Sequence, residues 1–341
     1  MVHFFFHFQA STKIGLGHAI RCLSLAQTCL SQGHVVYLLV NEATENAITE
    51  RIDTAVKVIL FDPLIPEKSK ITFPKRSILV TDNYALGIEF EMWFKGKVKT
   101  ICAIDDLADR VHYCDFLLDQ TVGCKPEKYA PLVPKDCAIL AGPHFALLNH
   151  HYLIQKDKAL EQRQLKPSHK KLLISFGGSD PDNVTGRVLS LLPNLKEITS
   201  VEIVLGSANP HAGTIKHIVD QSNLDINLHI NLPNLSTLLI NCDMAIGAGG
   251  ISALERCVYG IPTLLIEIAE NQKIMIQELQ KNNAGISLGS PASLTKDRLD
   301  EALKRLLNSG FYSQMSKAAA TLCDGEGSRR VINKLINSIE K

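Results

Sequence analysis

Neither sign of charge prevails in this chain. Its 36 Lys and Arg side chains face 35 Asp and Glu, a net charge of +1. No global field therefore draws in nucleic acid or an anionic membrane, and any anionic ligand has to be held by local groups. No uncharged apolar run approaches the ~20 residues that cross a bilayer. The aromatic opening "MVHFFFHFQA" lacks a basic flank, and its apolar run is too short and too broken for a secretory signal. A soluble, cytoplasmic protein is expected. Paired cysteine motifs are missing as well. The nine cysteines (22, 29, 102, 114, 124, 137, 242, 257 and 323) are odd in number and contain no C-x-x-C, which excludes the usual zinc and dithiol spacings. Most sit in apolar runs as small hydrophobes, in keeping with a reducing compartment. There is no low-complexity tract and no short-period repeat.

What the chain does have is length and rhythm. Its 341 residues exceed a common domain of about 150 by enough to imply two. The first half alternates short apolar stretches with turns and helical patterns. "HVVYLLV" (34–40), "AVKVILF" (55–61), "SILVTD" (77–82) and "KTICAID" (99–105) are nearly all apolar, as strands covered on both faces are. "HAIRCLSLAQTCLSQ" puts Ala19, Cys22, Leu23, Ala26 and Leu30 on one helical face, with Gly33 as terminator. The segment 62–76, with three prolines, reads as a loop. Residues 150–171 turn charge-dense and end near Lys-Pro-Ser, a connecting helix and linker. The rhythm then resumes with "KLLISFGG" (171–178), "SVEIVLG" (200–206), "INLHI" (226–230), "DMAIGAGG" (243–250) and "IPTLLIE" (261–267). The expected architecture is α/β: two doubly wound, Rossmann-like domains facing across a cleft, residues 1–150 and 171–341, joined by a linker at 151–170.

Open parallel sheets bind ligands beyond the carboxyl ends of their strands, so the strand-to-helix loops are the places to look. In "STKIGLGHAIRCLSLA" (11–26), Gly15 and Gly17 permit close backbone approach, and His18 falls in the first helical turn. The positive end of the helix disfavours an imidazolium there, leaving a proton acceptor; a capping histidine in a tight turn is the other reading. The stretch is no dinucleotide fingerprint, because residue 20 is Ile where a third glycine belongs. In "TDNYALG" (81–87), Asp82 ends a strand and Tyr84 can present its hydroxyl, or the segment is simply an Asx-type turn. In "FGGSDPDNVT" (176–185), Gly177, Gly178 and Ser179 can offer backbone N–H groups to a phosphate, and Asp180 or Asn183 can cap the next helix. It is no P-loop, lacking Gly-Lys-Ser/Thr. In residues 246–272, Gly249 and Gly250 precede Ser252 and a helix, Glu255 lies one turn in, within reach of ribose hydroxyls, and Asn271 and Gln272 open the following helix.

Taken in order, "IGLGHAIRCLSLA", Asp-x-Tyr at 82–84, "ISFGGSDPDN" and "AIGAGGISALERCVYGIPTLLIEIAENQ" resemble the UDP-2,4-diacetamido-2,4,6-trideoxy-β-L-altropyranose hydrolases of pseudaminic-acid biosynthesis. That family is similar to glycosyltransferases of the GT-B fold, and the likeness runs over most of residues 4–285. It implies a metal-independent hydrolase without a cofactor, acting on a UDP-sugar to give UDP and free sugar. By the same resemblance His18 is the general base toward water, Tyr84 and Asn271 hold sugar or water, and Gly177, Gly178, Gly249, Gly250, Ser252 and Glu255 grip UDP. Gly15, Gly17, Asp82, Asp180 and Gln272 complete the expected substrate-binding set. Two positions depart from the family pattern: His7 and Gln9 stand where an arginine and an aspartate are usual.

Two other functional classes fit the same motifs. A GT-B glycosyltransferase would need an acceptor, and a nucleotide-sugar binding protein would keep residues 246–272 without turnover. Elsewhere the plain readings prevail. His3 and His7 alternate with phenylalanines along a buried strand, Asp105 and Asp106 open a turn, "MWFKGKVK" (92–99) is an amphipathic helix end, and the helices after 290, with alternating charge, read as solvated covering helices.

Overall fold

The computed structural model describes residues 1–11, 15–164, 170–193, 195–207, 209–232 and 235–340. They form two compact units: residues 1–150 together with the chain from Gly325, and residues 151–324.

The first unit is built on seven strands, β1 (His3–Phe8), β2 (Val35–Val40), β3 (Lys57–Leu60), β4 (Ser77–Asp82), β5 (Thr100–Ile104), β6 (Phe116–Asp119) and β7 (Ala138–Ala141). Every pair is parallel and the order is β3-β2-β1-β4-β5-β6-β7. The chain winds outward from β1 to β3, then returns to β4 and winds the other way. The winding thus reverses between β1 and β4, and the carboxyl ends of those neighbours flank the crevice in which open α/β sheets place ligands. β1 is covered on both faces, as its unbroken apolar run requires. Phe4, Phe6 and Phe8 join one core cluster with helix α1 (Gly17–Ser31), while Phe5 belongs to another with Phe61, Phe90 and Phe94. Truncating one of these phenylalanines to alanine removes about 3–5 kcal/mol.

The second unit repeats the plan with β8 (Lys170–Ser175), β9 (Ile198–Leu205), β10 (Ile226–Ile230), β11 (Met244–Ala248), β12 (Thr263–Ile266) and β13 (Ile286–Ser287). They lie parallel in the order β10-β9-β8-β11-β12-β13. Here the winding reverses between β8 and β11, which are the strands that lead into the two glycine turns at 177–178 and 249–250.

The segmentation read from the sequence needs two corrections. The helix Gly327–Ile339 belongs to the first unit, not to a domain running from 171 to 341. Its Val331, Ile332 and Leu335 make one apolar stripe, fully buried in the cluster that holds Ala19, Cys22 and Ala26 of α1. The charged segment 151–170 is not a free connector. It supplies the helices His151–Ile154 and Lys156–Gln164 to the second unit, where buried Arg163 donates to the carbonyls of Leu239 and Ile240 at the end of a neighbouring helix. The Lys-Pro-Ser end of that segment lies outside the described residues. Among the described residues no helix is long and apolar enough to cross a membrane.

Candidate functional site

In the first unit a chain of polar contacts links the start of α1 to two strand ends. His18 lies in the first turn of α1, where the N-cap Leu16 provides no side-chain acceptor. Gly17 opens that helix, and Gly15 just before it holds φ +86°, the left-handed region that favours glycine, with its N–H donated to the Ser11 carbonyl. Residues 12–14 of this loop lie outside the described residues. His18 Nδ1 is 2.7 Å from Oδ1 of Asp82, the last residue of β4. A carboxylate only accepts, so Nδ1 carries the hydrogen, and in the neutral ring Nε2 is the nitrogen with the lone pair. The Tyr84 ring meets the His18 ring edge-on, with centroids 4.4 Å apart.

Asp82 is fully buried, and its second partner is Arg21, one turn beyond His18 on α1. Arg21 grips it in a fork, Nε to Oδ2 at 2.5 Å and Nη2 to Oδ1 at 2.6 Å. Burial pushes the Asp82 carboxyl up, but the Arg21 guanidinium and then His18 overcome this and hold it at about 2. Burial likewise works against the Arg21 charge. The carboxylates of Asp82 and Asp106 outweigh it and keep the guanidinium charged well past its ordinary range. The third donor, Nη1, reaches Asp106 Oδ2 at 2.8 Å, and Asp106 Oδ1 accepts the Tyr84 hydroxyl at 2.6 Å. Burial and then Asp106 drive the Tyr84 titration far upward, so its proton stays committed to Asp106 and the phenolic oxygen offers only lone pairs outward. Arg110 stitches the two loops together. It donates to the carbonyls of Leu86 and Asn83, pairs with Asp105 at 2.7 Å, and lies 5.9 Å from the centre of the Tyr84 ring.

The two positions that depart from the family pattern lie at the end of β1. His7 is buried, its Nδ1 2.7 Å from the Leu39 carbonyl and its Nε2 3.4 Å from the Asn83 amide. Burial pulls it down to about 4, so it is a neutral packing residue against Phe61 and Phe90. Gln9 is partly buried just beyond the strand. The charges beside His18 come instead from Arg21, Asp82 and Asp106.

In the second unit the turn after β8 places Gly177 at φ +90°. Gly178 follows it, and its carbonyl is closely approached by Gly206. Asp180, expected among the substrate contacts, spends both carboxylate oxygens on the N–H groups of Val184 and Thr185. It shapes the turn as a helix cap. After β11, Gly250 is the N-cap of the helix Ile251–Val258 and no side chain caps it. Gly249 packs against Ile276 so closely that a Cβ would sit 2.2 Å from Ile276 Cγ1. Gln272 braces the turn, its Oε1 accepting from Gly249 and Ile268. Asn271 beside it is exposed. Ser252 Oγ lies 3.4 Å from Arg256 Nη1, and Arg256 also donates to the Ala248 carbonyl at 2.6 Å. Arg256 is fully buried, burial brings it down to about 10, and no carboxylate forms an ion pair with it among the described residues. Glu255 accepts the hydroxyl of Tyr152; burial raises its titration, which this bond and then Arg256 oppose.

Sequence reasoning named His18, Asp82 and Tyr84 and missed Arg21 and Asp106. One signal for Arg21 was present: a cation three residues after His18, on the same side of the helix. Asp106 was read as a turn residue; its place one strand over from Asp82 becomes visible only once β4 and β5 are known to be neighbours.

No family model matches the chain. Among curated proteins it is similar to the spore coat polysaccharide biosynthesis protein SpsG of Bacillus subtilis, 25% identical over 329 residues, 93% of each chain. It is also similar to the UDP-2,4-diacetamido-2,4,6-trideoxy-β-L-altropyranose hydrolase of Campylobacter jejuni, 26% identical over 236 residues, 69% of this chain and 80% of that one. An uncharacterized protein of Methanocaldococcus jannaschii is 25% identical over 272 residues, and there the chain spans about half of the relative's length, 55%. Solved structures with the same fold include a plant glycosyltransferase, UGT2 of Phytolacca americana, at TM-score 0.66 and 14% identity over 100% of both chains. MurG of Acinetobacter baumannii follows at 0.62 and 12%, over 99% of this chain and all of that one. The chain thus has the two-unit parallel α/β fold of the GT-B type, and its homologues at about 25% identity include UDP-diacetamido-trideoxy-sugar hydrolases.

Proposed function

We propose that this chain hydrolyses a UDP-linked 2,4-diacetamido-2,4,6-trideoxy sugar of the altrose type to UDP and the free sugar, a step of pseudaminic-acid biosynthesis. The observation that carries the reading is the His18–Asp82 pair, with Nδ1 bonded to a buried carboxylate at 2.7 Å, an arrangement that directs the lone pair of a neutral ring to Nε2. The activity named for the Campylobacter relative supports the choice of substrate.

In this reading a water oxygen attacks the anomeric carbon while Nε2 of His18 takes its proton. The bond from that carbon to the β-phosphate oxygen breaks, and its electron pair leaves with UDP. General bases of this kind contribute about 10²–10⁴ in rate. Asp82 holds the ring in the right tautomer. The Tyr84 oxygen, whose own proton is occupied, accepts from the sugar or from the water, and Asn271 adds donors and an acceptor. The turns at Gly177–Gly178 and Gly249–Gly250, with Ser252, present backbone and hydroxyl donors to the diphosphate. Buried Arg256 adds positive charge beneath the second turn, and Glu255 takes a ribose hydroxyl. Gln272 and Asp180 serve this site by fixing the two turns.

The test is to incubate the protein with the UDP-trideoxy sugar and no acceptor and to measure UDP. Release in the wild type, reduced at least about a hundredfold in His18→Ala and in Asp82→Asn, is the expected result. A second reading, glycosyl transfer, draws on the polysaccharide-biosynthesis relative aligned over 93% of the chain. It predicts UDP release only when an acceptor is added, and binding without turnover would mark a nucleotide-sugar binding protein.

A further inference from the structure

Arg21 has no part in the proton transfer just described, yet it ties two carboxylates of the cluster together. Its guanidinium is buried and reaches carboxylates at two different strand ends, Asp82 through Nε and Nη2 and Asp106 through Nη1. At His18 two requirements conflict. A carboxylate on Nδ1 fixes the ring, but its negative charge also favours the imidazolium, in which Nε2 already holds a proton and cannot accept one. A cation forked onto the same carboxylate removes the second effect and leaves the first intact.

We propose that Arg21 is a positioning residue that cancels the charge of Asp82, so that Asp82 orients the His18 ring without holding a proton on Nε2. The inference rests on His18 acting as the base. The geometry is specific to charge cancellation. Both oxygens of Asp82 are engaged by the fork, and Arg21 Nη2 passes 3.2 Å from His18 Nδ1 without an acceptor there to bind. The other groups facing His18 do not replace Arg21. On α1, Cys22 lies behind Asp82, its Sγ 3.7 Å from Oδ2, and burial raises its thiol well above the ordinary range, so it stays neutral. On β1, His7 is neutral, and on β5, burial keeps the Cys102 thiol neutral. Beyond β4, the Tyr84 proton is bound to Asp106. Asp106 itself is partly exposed and shares Arg21 with Asp82, whereas Arg110 is occupied by Asp105 and Asp109.

The measurement is the protonation midpoint of the His18 ring in the full-length protein, followed by NMR and assigned among the 12 histidines by its loss in His18→Ala. Arg21→Gln is expected to raise the proton affinity of His18 about tenfold or more, and Arg21→Lys to keep it near the wild-type value. Asp82→Asn, which leaves the cation uncancelled, is expected to lower it, and Arg21→Gln added to Asp82→Asn to bring it back. The acid limb of UDP release moves with the midpoint in Arg21→Gln. If Arg21→Gln does not fold, the comparison of Asp82→Asn with the double variant decides instead, because that pair isolates the Arg21 charge. An unchanged midpoint in Arg21→Gln, an increase in Arg21→Lys equal to that in Arg21→Gln, or no recovery in the double variant overturns the proposal. Absence of UDP release from the wild type overturns the hydrolase reading alone, because the NMR titration needs no turnover.

Discussion

Two buried side chains, His7 and Asp82, set how the first unit responds to acid, and for opposite chemical reasons. His7 is neutral inside and is held down to about 4, against 6.5 in an unstructured chain. Protons therefore bind the unfolded chain first, and this contribution to stability, whole above pH 6.5, is lost as pH falls through 4. Asp82 is charged inside and held at about 2, against 3.8. Its contribution is present above 3.8 and lost as pH falls through 2. The first loss is worth about 3 kcal/mol and the second about 2 kcal/mol. Denaturant midpoints measured from pH 7 to pH 2 should decline in both windows, and His7→Gln should lessen the decline between 6.5 and 4, to which His3 and His34 also contribute, while leaving the lower one in place. At this scale the sequence was only partly legible. His18 at a helix start, Asp82 at a strand end and Tyr84 just beyond it stand at places whose chemistry shows in a short stretch of letters. Arg21 finds its partners 61 and 85 residues away, in contacts that exist only because β4 lies next to β1 and β5 next to β4.

The strands of the two sheets were readable where they are long. The runs at 35–40, 77–82 and 226–230 form strands within the expected limits, because an unbroken apolar run of that length has few alternatives inside a covered sheet. β6, β7 and β13 went unread: β13 is only two residues long, and the four-residue β6 and β7 are closed in by Asp115 and Gln120 and by Asp136 and Gly142, without the wider apolar flanks that made the equally short β3 and β12 visible. The glycine turns were legible as turns, but the reason for each glycine was not. Gly249 is required by the side chain of Ile276 rather than by its backbone angles. Gly249→Ala is expected to displace the turn and weaken UDP binding about tenfold or more by calorimetry, at a cost of about 1–3 kcal/mol in stability. Trimming the neighbour, as in Gly249→Ala with Ile276→Ala, should recover much of the affinity. Unaltered binding in the single variant would remove this turn from the nucleotide site.

The whole chain is organised by a return. After building the second unit it comes back at Gly325 and closes the first with the helix Gly327–Ile339. A covering helix was expected in this part of the sequence, but its charge pattern does not say which core it covers. That is fixed by the fit of Val331, Ile332 and Leu335 to the face of α1 that carries Ala19, Cys22 and Ala26. Because α1 also carries His18 and Arg21, this helix supports the candidate base from behind. Leu335→Ala should cost about 2–5 kcal/mol. Trp93, the only tryptophan of the chain and a member of the first unit, reports that loss by fluorescence. An unshifted Trp93 transition would mean that the last helix is dispensable to the unit.

The central claim, that water opens the bond between the anomeric carbon and UDP, is tested most directly by running the acceptor-free reaction in ¹⁸O-enriched water and weighing the UDP released. Attack at the anomeric carbon leaves UDP without label, and this is the predicted result. UDP carrying ¹⁸O would place the attack at phosphorus and contradict the account, as would the absence of any UDP until an acceptor is supplied.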